Sequence, residues 1–385
     1  MMRAQSTPDR LESWKEIASY LGRTVRTVQR WQHEELPVHR HHHKKLGSVF
    51  AIPGELDDWR RQRASAGAGL TQRDHYHLLS RHHLAARTIE SLQKSAKYAE
   101  LAIERDAQFA PAHAALALAY AILVSYGACR PHTLMPQARE AADRALRLDR
   151  NLAEAHCAAG LVELMYEFDW QAAERSFNRA MRLRPSDGPV YHWLALQRLV
   201  LRRHEDALRL MEDAHARDPL SPIVGAQHGW FLSLMRRHDE AIAVLEETID
   251  LDPLFFRAYA NLAWAYLELG SPDKAADAIQ RASVLNGIPV FQSTLAECEA
   301  RAGDHPSALD RMRRLEAGGD YISPYWRARA YTWAGQHERA LTLLEESVQL
   351  REWFVILLGH EPAFDPLRGI SRFASLIARV GLPPR

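Results

Sequence analysis

Apolar and polar positions alternate along this chain in a repeating order. From about residue 76 to residue 350, Ala, Leu and aromatic residues recur every three or four positions in stretches long enough for helices, and short polar breaks separate them. Three breaks carry a proline at a fixed interval of 34 residues, Pro185, Pro219 and Pro253, in AMRLRPSD, AHARDPLS and TIDLDPLF. A second marker extends the period. Small residues stand at Ser95, Ala138, Ala173, Ala207, Ala241, Ala275, Ala308 and Ala340, at intervals of 43, 35, 34, 34, 34, 33 and 32 residues. Such a period predicts about eight stacked helix pairs, each with two apolar faces that only its neighbours cover. The first interval places about nine additional residues around Gly127, Ala128, Cys129, Arg130 and Pro131, and Gly287 stands where the pattern expects proline.

Tyr259, Leu262, Ala263, Tyr266, Ala275 and Ile279, together with Ala173, Phe177, Ala180 and Pro185, carry a resemblance to the tetratricopeptide repeat family over about residues 76–349. The resemblance implies an all-α solenoid in which small residues let helices approach while Leu, Tyr and Phe fill the space between them. Trp230 and Trp264, 34 residues apart, have Leu118, Leu161 and Leu196 at equivalent positions, and in that family this first-helix position faces a concave groove. Leu164, Leu199, Leu234 and Leu267, with Met165 and Val200, stand beside it. The implied ligand is a protein partner's apolar segment or amphipathic helix. These side chains fit ordinary inter-repeat core equally well. Of the charged clamps that some relatives use for acidic tails, only Asn261 has a counterpart.

Residues 351–385 change character: an apolar run, WFVILL, is followed by a short helix expected from Pro366 to Val380, with Gly359, Pro362 and Pro366 breaking any continuous helix. This reads as a cap over the last helix pair. At the other end, residues 64–75 open with the small-residue run ASAGAG, which reads as a flexible linker.

Residues 11–63 form a separate head, after a polar start at residues 1–10 that is expected to be disordered. Ser13 caps a helix with Trp14, Ile17, Ala18 and Leu21 inward, and Gly22 stops it. Thr24 caps a second helix to about His33, with Val25, Val28 and Trp31 inward and Arg26, Thr27, Gln29 and Arg30 outward. Val38–His43 and Ser48–Ile52 read as two strands joined by a turn at residues 44–47, before a helix from Pro53 with Leu56 and Trp59 inward. WKEIASYLGRTVRTVQRW, then LPVHRHHHKK and a Leu-x-x-Trp helix, resembles the winged helix–turn–helix units of MerR-type regulators and excisionases. That resemblance implies a second helix in the major groove of double-stranded DNA and a wing along the backbone. Arg26, Gln29 and Arg30, with Thr27 beside them, then face base edges, while Arg23, Thr24, Arg40, His41, Lys44 and Lys45 suit phosphates.

Charge matters only once it is divided. The whole chain carries 49 Lys and Arg against 48 Asp and Glu, a formal +1, whereas residues 11–63 carry ten against seven. A local basic patch, not the overall field, must therefore attract nucleic acid. His39, His41 and His43 share one face of an extended strand, yet no Cys pair or acidic partner stands at a helpful spacing, so a phosphate-facing wing is preferred to a metal site. No metal or cofactor is expected. His204, His238, His305 and His337 sit in acid–base-like contexts, but each precedes a repeat alanine by three residues, as Trp170 and Pro272 do, which makes them turn-to-helix residues. No nucleotide, hydrolase or kinase fingerprint is present, and the expectation is no enzyme. Three scattered cysteines, Cys129, Cys157 and Cys298, with no apolar run near membrane-spanning length, point to the cytoplasm and away from a membrane. The functional expectation is a DNA-binding transcriptional regulator that meets a protein partner through its array and dimerises through the array or cap. The alternative is a scaffold whose head binds protein.

Overall fold

The computed structural model describes residues 10–32, 36–40, 49–68, 70–127, 129–185, 188–319 and 321–383. It divides into two units, one up to His75 and one from Tyr76 onward.

In the first unit, α1 spans Trp14–Leu21. Ser13 Oγ accepts the Glu16 N–H at 3.2 Å, and Gly22, at φ 61°, takes the left-handed conformation that ends the helix. Then α2 spans Val25–Gln32, with Thr24 Oγ1 accepting the Thr27 N–H at 3.3 Å. The strands are shorter than the sequence suggests: β1 is His39–Arg40 and β2 is Val49–Phe50, antiparallel, with His39 opposite Phe50. Ala51 makes one further bridge, to Leu11. The expected turn at residues 44–47, with His41 and His43, lies outside the described residues, as does the start of the chain to residue 9. Ile17, Ala18, Leu21, Val28, Leu36, Val49, Ala51 and Leu56 form the core, with Trp14, Val25, Trp31 and Trp59 half-buried around it. Trp31 and Trp59 meet at 5.6 Å between ring centroids.

One boundary differs from expectation. Helix α3 spans Pro53–Ala68, and so runs through most of the small-residue stretch read as a linker. Ala and Arg are strong helix formers, and a glycine inside a helix costs only about 1 kcal/mol. Helix α4, Gln72–Ala86, begins four residues later, where Thr71 and Asp74 cap reciprocally.

The second unit continues through α5 (Ile89–Arg105), α6 (Ala110–Ser125), α7 (Pro131–Leu148), α8 (Ala153–Val162), α9 (Trp170–Leu183), α10 (Gly188–Val200), α11 (His204–Arg217) and α12 (Pro222–Leu234). Then follow α13 (His238–Leu251), α14 (Phe256–Glu268), α15 (Pro272–Leu285), α16 (Val290–Arg301), α17 (His305–Ala317), α18 (Pro324–Trp333) and α19 (His337–Gln349). A π turn, Glu163–Glu167, lengthens α8. Helices α4 to α19 pack as consecutive pairs. Every one of the eight repeat markers, from Ser95 to Ala340, falls in the second helix of a pair and is buried. The additional residues of the first interval are spread over the second pair, not gathered in one loop: α6 has 16 residues and α7 has 18, against 13 in α12 and 14 in α13. His204, His238, His305, His337, Trp170 and Pro272 are each the first residue of a second helix. Two positions before these, Phe168, Arg202, Arg236, Gly270, Gly303 and Gly335 all have positive φ, so one left-handed residue turns the chain within each pair.

The last part departs most from expectation. Trp353–Leu357 and Pro362–Leu367 are 3-10 turns, and the final helix, α20, is Ser371–Arg379 rather than a helix from Pro366. Helix α20 does lie on α19, where Arg372 binds Glu345 at 2.6 Å. The segment before it, however, turns back into the array. Among the described residues no helix is long and apolar enough to cross a membrane.

Candidate functional site

On the head, α2 presents Arg26 and Gln29, three positions apart and exposed, while Val28 between them is fully buried. Arg23 is exposed just before the helix, and the side chains of Arg23, Arg26 and Gln29 have no hydrogen-bond partner among the described residues. Thr24 and Thr27 are joined at the cap, Oγ1 to Oγ1 at 2.9 Å, and Thr27 is half-buried. Thr24 thus shapes the helix start in addition to facing solvent. Arg30 follows in α2 and Arg40 stands in β1, but their side chains, and His41, Lys44 and Lys45 entirely, lie outside the described residues. His39 is engaged within the head: its Nε2 hydrogen-bonds Glu55 Oε2 at 2.6 Å and its ring stacks on Phe50. Among the described residues no group of three or more His, Cys, Asp or Glu is placed to hold a metal ion.

In the array, the structure brings the expected groove residues together but does not leave them open. Leu161, Leu164, Leu196, Leu199, Trp230, Leu234 and Leu267 are all buried, and Trp264 is half-buried. They belong to one continuous apolar cluster with Trp353, Phe354, Val355, Ile356, Leu357, Leu358, Phe364 and Leu367. The C-terminal segment covers them. Trp353 lies 6.0 Å from Trp230, and its Nε1 donates to the Ser125 carbonyl at 3.0 Å. Phe354 packs edge-on to Trp326 at 4.9 Å, and Trp326 stacks on Trp264 at 4.7 Å. His360 Nε2 meets the Val200 carbonyl at 3.2 Å, and Arg236 holds Asp365 at 2.6 Å. The expected partner groove is therefore filled from within, by the apolar run read as a cap. Asn261 is a brace between helices, donating from Nδ2 to the Ala226 carbonyl at 2.7 Å, and is not free to meet a ligand.

Buried charge fastens this arrangement. The Arg329 guanidinium, 1% exposed on α18, reaches Glu297 Oε2 at 2.9 Å on one side and Glu361 Oε2 at 2.9 Å on the other. Burial works to raise the Glu297 carboxyl, but the guanidinium groups of Arg329 and Arg301 outweigh it and hold the group below the usual range. Glu352 accepts from Tyr321 Oη at 2.5 Å, Ser323 Oγ at 2.9 Å and the Tyr325 N–H at 3.2 Å, as well as from Ser347. Without a cation in that set, burial prevails and pushes its carboxyl up. Burial likewise lowers the His360 imidazole to about 4. All three cysteines are free thiols. The Glu297–Arg329–Glu361 triad was not foreseen, although Glu297 and Arg329, two charged residues inside otherwise apolar repeat helices, could have pointed to it.

An open cavity of about 250 Å³ lies in the array among α4, α6, α8 and α10, lined by Arg81, Leu84, Leu118, Ile122, Arg184 and Trp193 among others.

Paired helices, a buried small residue at each marker and a left-handed turn within the pair define a helical repeat solenoid of the tetratricopeptide type. The tetratricopeptide repeat family model matches residues 234–285. No curated protein matches the chain. Among solved structures, the chain is similar to a monomeric mutant of IFIT1 with Gppp-AAAA, at 14% identity over 76% of this chain and 67% of that one, with a TM-score of 0.52. It is also similar to TTC0263, a thermophilic TPR protein in Thermus thermophilus, at 23% identity over 47% of this chain and 98% of that one, TM-score 0.42. YrrB, a TPR protein with an unusual peptide-binding site, matches at 22% identity over 57% and 99%, TM-score 0.31. The likeness to IFIT1, at 14% identity, bears on the fold of the array alone. The array thus has a tetratricopeptide-type fold, with the family model matching residues 234–285 within it.

Proposed function

We propose that this protein is a non-enzymatic, DNA-binding regulator of transcription whose array receives a protein partner. The observation that carries this reading is α2, whose exposed face offers Arg26 and Gln29 with their donors uncommitted while Val28 anchors the helix in the head's core. Arg and Gln are the residue types that pair with guanine and adenine edges, and the major groove, about 12 Å wide, admits a helix. An eight-residue helix is about 12 Å long, enough to set both side chains against neighbouring bases. The surplus of basic residues in the head supports the same reading, since phosphate neutralisation supplies most non-specific affinity. In the array, a partner's apolar segment would take the place of the C-terminal segment, and the packing of Trp353 and Phe354 there supports an apolar occupant. Self-association through the array belongs to the same proposal.

A mobility-shift titration of the full chain on random-sequence duplex, at two salt concentrations, tests it. Retardation at low salt that fades at high salt is expected. No retardation at low salt overturns the reading in favour of a head that binds protein, and undiminished binding after Arg26→Ala with Arg30→Ala overturns the assignment of α2.

A further inference from the structure

The cavity among α4, α6, α8 and α10 lies beyond the part of the concave face that the C-terminal segment fills. That segment meets α6 at its last residue, Ser125, and no described residue of the segment lines the cavity. Leu118, at its wall, stands at the first-helix position that Leu161, Leu196, Trp230 and Trp264 hold further along, and its side chain is smaller than an indole. The floor is apolar, with Leu84, Leu118, Ile122 and the buried Trp193.

Its charge is one-sided. Arg81, Arg87, Arg184 and His77 line it against one carboxylate, Glu154, among the described residues. Arg184 binds Glu154 through Oε1, and Glu154 Oε2 is buried without a hydrogen-bond partner among the described residues. Arg81 is exposed at the rim and has no ion pair among the described residues. An apolar floor under a cationic rim selects a ligand with the inverse arrangement. The volume excludes a helix, which is about 10–12 Å across with its side chains, and sits just below the roughly 300–1,000 Å³ typical of drug-sized ligands.

We propose that this cavity binds a small amphipathic monocarboxylate, with its aliphatic or aromatic body against Leu118, Ile122 and Trp193 and its carboxylate between Arg81 and Arg184. The site is separate from the covered groove and uses no residue of the head, so it stands or falls independently of DNA binding.

Calorimetric titration of the full chain with octanoate, with 1-octanol and octylamine as uncharged and cationic counterparts, tests the inference. Saturable 1:1 binding of octanoate is expected, at least ten-fold tighter than either counterpart. Arg81→Glu, at an exposed position, should weaken octanoate at least ten-fold with no change in the unfolding temperature. Leu118→Trp should abolish binding by placing an indole in the cavity. The proposal is overturned if octanoate shows no saturable binding up to about 5 mM, a limit near −3 kcal/mol. It is equally overturned if octanol binds as tightly as octanoate, or if Arg81→Glu binds octanoate unchanged.

Discussion

Replacing Arg329 by Met keeps most of the side chain's volume and removes its charge. In the native array the guanidinium is 1% exposed and holds two carboxylates: Glu297 at 2.9 and 3.3 Å, and Glu361 at 2.9 Å. After the change Glu297 keeps Arg301 at 2.9 Å, whereas Glu361 keeps only the Tyr325 hydroxyl, at 3.2 Å, among its side-chain partners. One buried carboxylate is therefore left without a cation. Removing one partner of a buried pair typically costs about 3–5 kcal/mol, and that is the loss expected in urea unfolding of the full chain followed by circular dichroism. Because the cost is an uncompensated charge, Arg329→Met with Glu361→Gln should recover about half of it, although it removes a second polar contact. The sign with pH follows. Glu297 is held below its usual range, so its contribution is present above the ordinary carboxylate pKa and is lost as pH falls through the folded value. The gap between wild type and Arg329→Met should narrow as pH drops below about 4.5, the unperturbed range for Glu. A loss under about 1 kcal/mol, or a double variant no more stable than the single one, would refute the reasoning that charge burial holds this segment.

Other consequences are simpler. His360 is lowered from 6.5 to about 4 by burial, so its contribution is complete above pH 6.5 and fades as pH falls toward 4, by at most roughly 3 kcal/mol. Unfolding midpoints at pH 7 and pH 5 should differ more for wild type than for His360→Gln, and equal differences would count against it. Trp353→Ala should cost about 3–5 kcal/mol in urea unfolding, since its indole is 4% exposed in the filled concave face. If the loss stays below about 1 kcal/mol, the segment is not packed as described. In α8, a methyl on Gly160 would stand 2.7 Å from the Phe177 ring, so Gly160→Ala should destabilise by about 1–3 kcal/mol despite the usual helix gain of about 1 kcal/mol. A net stabilisation would contradict the close approach of α8 and α9.

The repeat order was readable because it is local. Ala173, Ala207, Ala241 and Ala275 recur at a near-constant interval, and each sits where its helix crosses its partner, so spacing alone carries the packing rule. The turn within each pair was legible only in part. Gly270, Gly303 and Gly335 mark it, but Arg202 and Arg236 take the same left-handed conformation without any signal in composition. The destination of Trp353–Leu358 was not legible at all. An apolar run states that it will be buried, not against what, and the Trp353 partners Ser125 and Trp230 lie more than a hundred residues away. The cavity was hidden for a related reason, since its lining, from His77 to Trp193, comes together only through packing between repeats. In the head, the caps at Ser13 and Thr24 and the inward set Ile17, Ala18, Leu21 and Val28 followed directly from spacing, while the strands shrank to two residues each.

The central claim is that the head binds double-stranded DNA through α2 and the basic residues beside it. It is tested most directly by fluorescence anisotropy of the full chain on a labelled duplex across a series of salt concentrations. If Arg23, Arg40, Lys44 and Lys45 meet phosphates, log K should fall against log salt with a slope of about −3 to −4, and Arg23→Ala should make that slope shallower by about one. Arg26→Ala should weaken binding by about 1–3 kcal/mol on a preferred sequence while leaving the slope close to that of wild type. Affinity that does not change with salt, or no binding at the lowest salt concentration, would contradict the account.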